Sequence, residues 1–416
     1  MTAILKPKKI LIIGFVWPEP NSTAAGSRMH QLLLFFKRNN CKITFASTAQ
    51  ESDFSLDLKS MGIMPEQILL NDSGFDQFIR KIDPDLVLFD RFLTEEQFGW
   101  RVAKQCPNAL RVLDTEDLHS LRSVRLEAKK NKVLPSIDTW KQAEITKREM
   151  ASIYRSDLSL IISSYEMELL VNEINVAQDL LMHLPFMLDT IHKEVQSKWL
   201  PFGDRKDFIC IGNGKHAPNI DAIRWLKDEI WPQIRQQLPT VNLRIYGAYL
   251  PERVLQLNQP KEGFLVMGRA EDAKEVVGKA RVSLAPLRFG AGIKGKLVDA
   301  MLCGTPSVST DIGAEGMNDN LPWSGMISND AKGIADHAVA LYTYKHRWKK
   351  CQENGVAIID QVYNKSLLEE RLLERINSVF DRLPAHRTGN FIGSMLLHHS
   401  MASTKYLAKW IEAKNQ

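Results

Sequence analysis

Residues 285–308 read APLRFGAGIKGKLVDAMLCGTPSV, a glycine-rich turn with two lysines that runs into an apolar helical pattern. Glycines let a backbone approach a ligand closely, and the N–H groups at a helix start face an anion. Lys294 and Lys296 add positive charge, so the stretch reads as a phosphate site. Three kinds of site compete for it. Gly290-x4-Gly295-Lys296 follows the P-loop pattern up to its last position, where Leu297 offers no oxygen to Mg²⁺. Gly290-x-Gly292-x2-Gly295 follows the dinucleotide fingerprint, but Arg288 and Phe289 separate its glycines from the preceding strand. The third reading is a diphosphate joined to a ribose. Asp299, one turn into the helix, would repel a bare phosphate and suits hydroxyl groups.

A second group of reactive side chains lies in the first half. VLDTEDLHSLRSVR, residues 112–125, places Asp114, Glu116, Asp117 and His119 just after an apolar run. Strand-end loops are favoured positions for chemistry. Asp117 or His119 there could orient or deprotonate a hydroxyl. The plainer alternative is that Asp114 or Asp117 caps the next helix, with Glu116 and His119 in water. Gly26 and Arg28 open the first helix. They read as a loop facing an acceptor or diphosphate, or as an ordinary turn capped by Asn21, Ser22 or Thr23. Lys215 and His216 follow a Gly-x-Gly turn, and Glu315 sits in a GAEG turn.

These residues need elements to position them. KKILIIGFVW (8–17), CKITFAS (41–47), PDLVLFD (84–90), ALRVLD (109–114) and LSLIIS (158–163) read as strands with helical stretches between them. The rhythm weakens over 189–207, a candidate linker. It restarts with strands at 208–214, 241–247, 264–269, 281–287 and 306–311, and a helix over 219–238. Near-continuous apolar strands alternating with helices predict parallel sheets covered on both faces. In such sheets ligands bind beyond the carboxyl ends of the strands, which is where each group above falls. From about 331 the pattern is helical. The tail 390–415 carries paired apolar residues at helical spacing, with Lys405, Lys409 and Lys414 beside Tyr406 and Trp410. It reads as a terminal helix docked on the body, with a membrane-surface helix as the minor alternative. The adjacent His398 and His399 diverge on a helix and do not make a metal pair.

A length of 416 residues allows two large domains. Five scattered cysteines, without a C-x-x-C spacing, indicate neither a disulfide framework nor a zinc site, so a reducing, cytoplasmic setting is expected. The opening MTAILKPKKILIIGFVW is followed by Trp17-Pro18-Glu19-Pro20 without a small-residue cleavage site, so it reads as a buried strand rather than a leader. No apolar run reaches membrane-spanning length. A net charge of +5 is too mild to imply nucleic-acid binding, but is compatible with weak attraction to an anionic membrane surface.

RFGAGIKGKLVDAMLCGTPSVSTDIGAEGM resembles the nucleotide-sugar signature of GT-B glycosyltransferases of the family 4-like kind. GNGKHAPNIDAIRWLKDEIWPQIRQQLPTVNLRIYG resembles the opening of their C-terminal domain, and PEPNSTAAGSRMHQLLLFF their N-terminal glycine loop. The resemblance covers most of residues 8–380 and is strongest over 208–317. It implies an α/β GT-B fold, two Rossmann-like domains facing across a cleft: 1–200 for the acceptor, 201–380 for the nucleotide sugar, and a tail, 381–416, packed back on the first. It implies that Asp299 holds the ribose and that Lys215 with Lys294 or Lys296 neutralises the diphosphate. The Gly290–Gly292 backbone lies along the sugar phosphate, and Arg269 falls near the base. Ala291 stands where the family has a glutamate facing the donor sugar, a departure from the pattern. The implied activity is transfer of a sugar from a nucleotide-diphosphate sugar to a glycan, lipid-linked or other hydroxyl acceptor. It needs no cofactor and no essential metal, and retention of configuration is favoured. A nucleotide-sugar epimerase of the same fold and a silent nucleotide-sugar-binding subunit are the alternatives.

Overall fold

The computed structural model describes residues 4–414, except for the side chains of 399–402, so His399 lies outside the described residues. Thirteen strands form two parallel sheets among these residues. The first comprises β1 (Lys9–Gly14), β2 (Lys42–Ser47), β3 (Met64–Gln67), β4 (Leu86–Asp90), β5 (Leu110–Asp114), β6 (Leu158–Ile161) and β7 (Leu181–His183), in the order β3-β2-β1-β4-β5-β6-β7. The second comprises β8 (Lys206–Ile211), β9 (Leu243–Tyr246), β10 (Phe264–Gly268), β11 (Ala280–Ala285), β12 (Ser307–Ser309) and β13 (Gly325–Ile327), in the order β10-β9-β8-β11-β12-β13. All five residues of β4 and of β5 are buried, as continuous apolar runs require when helices cover both faces.

Side chains of β1 and β4 alternate between two cores. Ile10, Ile12, Leu86 and Leu88 enter one, and Leu11, Ile13, Val87 and Phe89 enter the other. This is the period-two geometry of a strand buried on both sides. The strand order reverses between β1 and β4, and again between β8 and β11. A crevice opens at each such switch point, beyond the carboxyl ends of the strands. The loops leaving β8 and β11 meet those leaving β1 and β5, so the two crevices oppose each other.

The helix expected over 219–238 is present as one run of contiguous turns, Ala217–Trp225, a wider turn over Leu226–Ile230, and Trp231–Gln237. Pro232 has no N–H to donate to the preceding turn, so the regular ladder widens there without breaking the helix. One expectation needs correction: the return to the first domain begins before 381. Leu368, Leu372, Ile376 and Val379 of the helix Lys365–Asp381 are buried in the core of the first sheet. The crossing points of the chain lie side by side: Leu188 N–H donates to Tyr363 O, and Lys365 N–H to Leu188 O, both at 2.8 Å.

The terminal helix Phe391–Lys414 docks on the first domain. Gly393 lies against the Tyr154 carbonyl, and Asn390 Nδ2 donates to that same oxygen at 2.7 Å. Its outer side exposes Phe391, Ile392, Met395, Tyr406, Leu407 and Trp410. No helix among the described residues is long and apolar enough to cross a membrane.

Candidate active site in the interdomain cleft

The glycine loop after β11 is pressed directly against the first domain. Gly292 has φ +63°, and a Cβ there would come within 2.7 Å of Asp117 Cβ. Both facts demand glycine, since other residues are strained at that φ and would collide. Gly292 N–H donates to Glu166 Oε1 at 2.8 Å, and Lys294 Nζ donates to the Gly292 carbonyl at 2.7 Å. Gly290 O accepts from Arg125 Nη1 at 2.8 Å. Ala291 packs against the apolar cluster of the first domain. Gly295 begins the helix Gly295–Leu302, whose first turn has no side-chain cap, and its Cα faces Ala24 at the start of the helix Ala24–Arg38. Two helix starts therefore meet across the cleft.

The expected donor-side residues line the second domain's half. Lys294 is only 7% exposed, and burial lowers its ammonium to about 8 against the pull of Glu315 and Glu166. Lys296 Nζ donates to Asn219 Oδ1, and its pKa is lowered by burial. Asp299 lies deeper along the helix, beside Lys274; burial raises its carboxyl to about 6. Nearer the mouth, the Lys215 ammonium sits 3.6 Å over the Tyr249 ring. Arg269 stacks 4.3 Å from Phe54, and Phe54 meets Tyr249 edge-on at 5.8 Å. Tyr249 OH reaches Glu19 Oε2 at 3.2 Å, so this aromatic group also spans both domains.

The acid cluster divides by surroundings. Asp117 Oδ2 accepts from Arg122 Nη1 at 2.7 Å, and His119 Nε2 lies 3.3 Å from Asp117 Oδ1. Burial drives the His119 imidazole down to about 4, so it is neutral at pH 7 despite Asp117. Glu116 holds φ +66° and is pushed up to about 8 by burial and by Asp90 and Asp114. Neither Asp114 nor Asp117 caps the next helix. Leu118 is the cap residue, and Glu149 from a distant helix accepts the N–H groups of His119 and Ser120 at 2.9 and 3.0 Å.

The pair expected on the first loop is corrected. Arg28 is 2% exposed and faces inward: its Nε and Nη2 bind Asp114 at 2.8–3.0 Å, and Nη1 binds Leu184 O at 2.6 Å. With its donors committed to buried partners, it holds β5 to the first helix and does not reach the cleft. Gly26 N–H is taken by the Thr23 cap at 2.9 Å, and a Cβ on Gly26 would strike the Glu19 backbone. The ordinary capped turn is the one observed.

Two cleft residues escaped the reading of the sequence. Glu166 follows β6 by five residues, so the rule that ligands sit after strand ends would have marked it. Arg125 lies on the helix His119–Lys130, three residues beyond Arg122, and pairs with Glu315 across the domains. Nothing in its local pattern separates it from a solvated arginine.

Two doubly wound domains with their crevices opposed across a cleft define the GT-B class of fold. Within it, residues 205–344 match the family model described as Glycosyl transferases group 1. A glycosyltransferase from Rickettsia africae superposes with a TM-score of 0.64 at 11% identity, over 89% of this chain and 98% of that one. HepE from Anabaena, solved with UDP and glucose, superposes at 0.65 with 13% identity, over 89% and 100%. Sucrose-phosphate synthase from Thermosynechococcus elongatus does so at 0.65 with 15% identity, over 90% and 99%. A curated relative, an uncharacterized 44.6 kDa protein in the cps region of Klebsiella pneumoniae, is 24% identical over 197 residues, 42% of this chain. The chain spans about half the length, 51%, of that curated relative. The GT-B resemblance read from the sequence is thereby borne out.

Proposed function

We propose that the protein transfers a sugar from a nucleotide-diphosphate sugar to a hydroxyl of a glycan or lipid-linked acceptor. The observation that carries this reading is the apposition of the Gly290–Lys296 loop with the Asp117–His119 pair of the other domain. A phosphate-binding turn and a hydroxyl-orienting pair meet where strand ends converge. Lys294 and Lys296, with the uncapped helix start, neutralise the leaving diphosphate, a preorganised electrostatic role that needs no metal. Asp299 accepts the ribose hydroxyls, while Lys215 and Arg269 stand at the outer edge of the donor's site.

In the transfer, the bond from the anomeric carbon to the phosphate oxygen breaks and a bond to the acceptor oxygen forms. We favour retention, in which the leaving diphosphate takes the acceptor's proton and Asp117 with neutral His119 orients the hydroxyl. Closure of the domains excludes water and limits hydrolysis. The solved neighbour that holds UDP makes uridine diphosphate the first nucleotide to try. Incubation with labelled nucleotide sugars and hydroxyl acceptors tests the reading. Release of nucleoside diphosphate, resistant to a chelator, with a retained anomer by NMR, supports it. Binding without turnover on any acceptor would instead identify a silent subunit, and interconversion of the nucleotide sugar an epimerase.

The exposed side of the helix Phe391–Lys414 supports peripheral contact with an anionic bilayer. Its apolar side chains alternate with Lys409 and Lys414, which can stay in the headgroup layer while the rings enter. Co-sedimentation with anionic vesicles, weakened by Trp410→Ser and Tyr406→Ser, is the expected result; equal sedimentation of wild type with neutral vesicles would argue against it.

A further inference from the structure

The carboxyl of Glu166 lies at the domain junction with no exposed surface. Its two oxygens are unequal. Oε1 accepts from Leu118 N–H at 3.0 Å in its own domain and from Gly292 N–H at 2.8 Å in the other. Oε2 is buried without a hydrogen-bond partner among the described residues. A buried polar atom left unpaired is costly, so such an atom calls for a partner.

The surroundings say what partner would fit. Burial and the Asp117 charge raise the Glu166 pKa and the Lys294 charge lowers it, so Glu166 is within electrostatic reach of both the hydroxyl-orienting pair and the diphosphate lysine. Ala291, next to its Gly292 partner, brings only a methyl group and no polar atom of its own. Gly316 packs against Ser163 and Tyr165, holding the GAEG turn against the start of the short helix that carries Glu166. The position is fixed by both domains, and a side chain held so rigidly can read the orientation of a ligand hydroxyl.

We infer that Glu166 determines donor specificity, its unpaired Oε2 donating to a hydroxyl oxygen of the transferred sugar at the junction of the two domains. The assignment rests on the proposed transfer from a nucleotide sugar. It places the sugar-reading carboxyl on the first domain, although the nucleotide is held by the second. A nucleoside diphosphate without its sugar makes no use of Glu166.

Oε1 already accepts two N–H groups, and burial pushes the carboxyl up to about 8, so at neutral pH Oε2 carries the proton. Glu166→Gln keeps this arrangement, its amide oxygen on the backbone N–H groups and its NH₂ donating from the position of Oε2, whereas Glu166→Met removes the donor. Kinetics with nucleotide sugars that are epimers at single hydroxyls, and calorimetry with the bare nucleoside diphosphate, give the readout. The expected result for Glu166→Met is roughly a hundredfold loss in kcat/KM for the preferred donor, narrowed discrimination between epimers, and unchanged nucleoside-diphosphate affinity, while Glu166→Gln stays within about tenfold of wild type. Glu166→Ala should lose as much turnover as Glu166→Met, with a lower melting temperature besides. Wild-type kinetics in Glu166→Met would overturn the assignment, as would an equal hundredfold loss in Glu166→Gln. So would a parallel loss of nucleotide affinity in Glu166→Met, which marks a purely structural latch. Failure of the wild type to turn over any donor would sink the proposed transfer and this assignment with it; an active wild type matched by Glu166→Met sinks the assignment alone.

Discussion

Arg125 and Glu315 form a two-pronged ion pair across the domain boundary, with Nη1–Oε1 and Nη2–Oε2 both at 2.8 Å. The guanidinium also holds the Gly290 carbonyl and lies 5.5 Å from the Tyr165 ring centre. One side chain thus ties the glycine loop and the GAEG turn to the first domain. Paired forks of this kind are geometrically specific as well as strong.

Removing the arginine leaves Glu315 unpaired whenever the cleft is closed. Breaking a largely buried pair costs about 3 kcal/mol, which here falls on the closed form alone, because water solvates Glu315 when the domains part. Arg125→Met should therefore raise the radius of gyration measured by small-angle X-ray scattering and cut turnover more than tenfold. An unchanged radius would mean that the other interdomain contacts suffice.

Asp117 packs against Gly292 of the glycine loop, and its carboxylate is engaged by Arg122 and His119 rather than by the lysines assigned to the diphosphate. Asp117→Asn should cut transfer by roughly a hundredfold, the scale of a positioned acid–base group. Calorimetric affinity for the nucleoside diphosphate should stay within about twofold. A matching loss of affinity would place Asp117 in the donor site instead.

Arg28 and Asp114 are a structural pair, both almost fully buried. Arg28→Met leaves an uncompensated carboxylate at the end of β5 and should destabilise the protein by about 3–5 kcal/mol. Chemical denaturation measures this. Activity per folded molecule should hardly change. Full stability with lost activity would restore the cleft-facing role expected from the sequence.

Burial and Asp117 push the Glu166 carboxyl up to about 8 from an ordinary 4.5. The folded protein therefore keeps this proton over a range in which the unfolded chain has released it. Where the native state binds more protons, stability falls as pH rises, here between about 4.5 and 8. Glu166→Gln removes that contribution. Its melting temperature relative to wild type should rise steadily from pH 5 to pH 8.5, and a flat difference would contradict the assigned shift.

The strands that were legible in the sequence are those with both faces covered, such as LVLFD and LRVLD, where burial makes the whole run apolar. The missed strands, β3, β7 and β13, have three or four residues and lie at sheet edges, too short and too lightly covered to leave a pattern. The glycine loop was legible because its backbone demands glycine, as the positive φ of Gly292 shows. Arg28 was misassigned for a related reason. Its position after a strand is that of a ligand-binding residue, and only the fold reveals that Asp114, 86 positions away, claims it. Glu166 and Arg125 act across the domain boundary, so their partners are set by tertiary contact rather than by neighbours in the chain.

On the proposed reading, the second domain's half of the cleft holds a nucleoside diphosphate, with Asp299 on the ribose. Thermal denaturation of wild type and Asp299→Ala with a panel of nucleoside diphosphates and their sugars tests it most directly, because a ligand that binds the native state raises its melting temperature. A hydrogen bond to a charged group contributes about 1.5–3 kcal/mol, so the substitution should weaken binding by at least about tenfold. The expected result is that at least one base family stabilises the wild type at concentrations that leave Asp299→Ala unshifted. Equal stabilisation of both proteins, or of neither by any nucleotide, would contradict it.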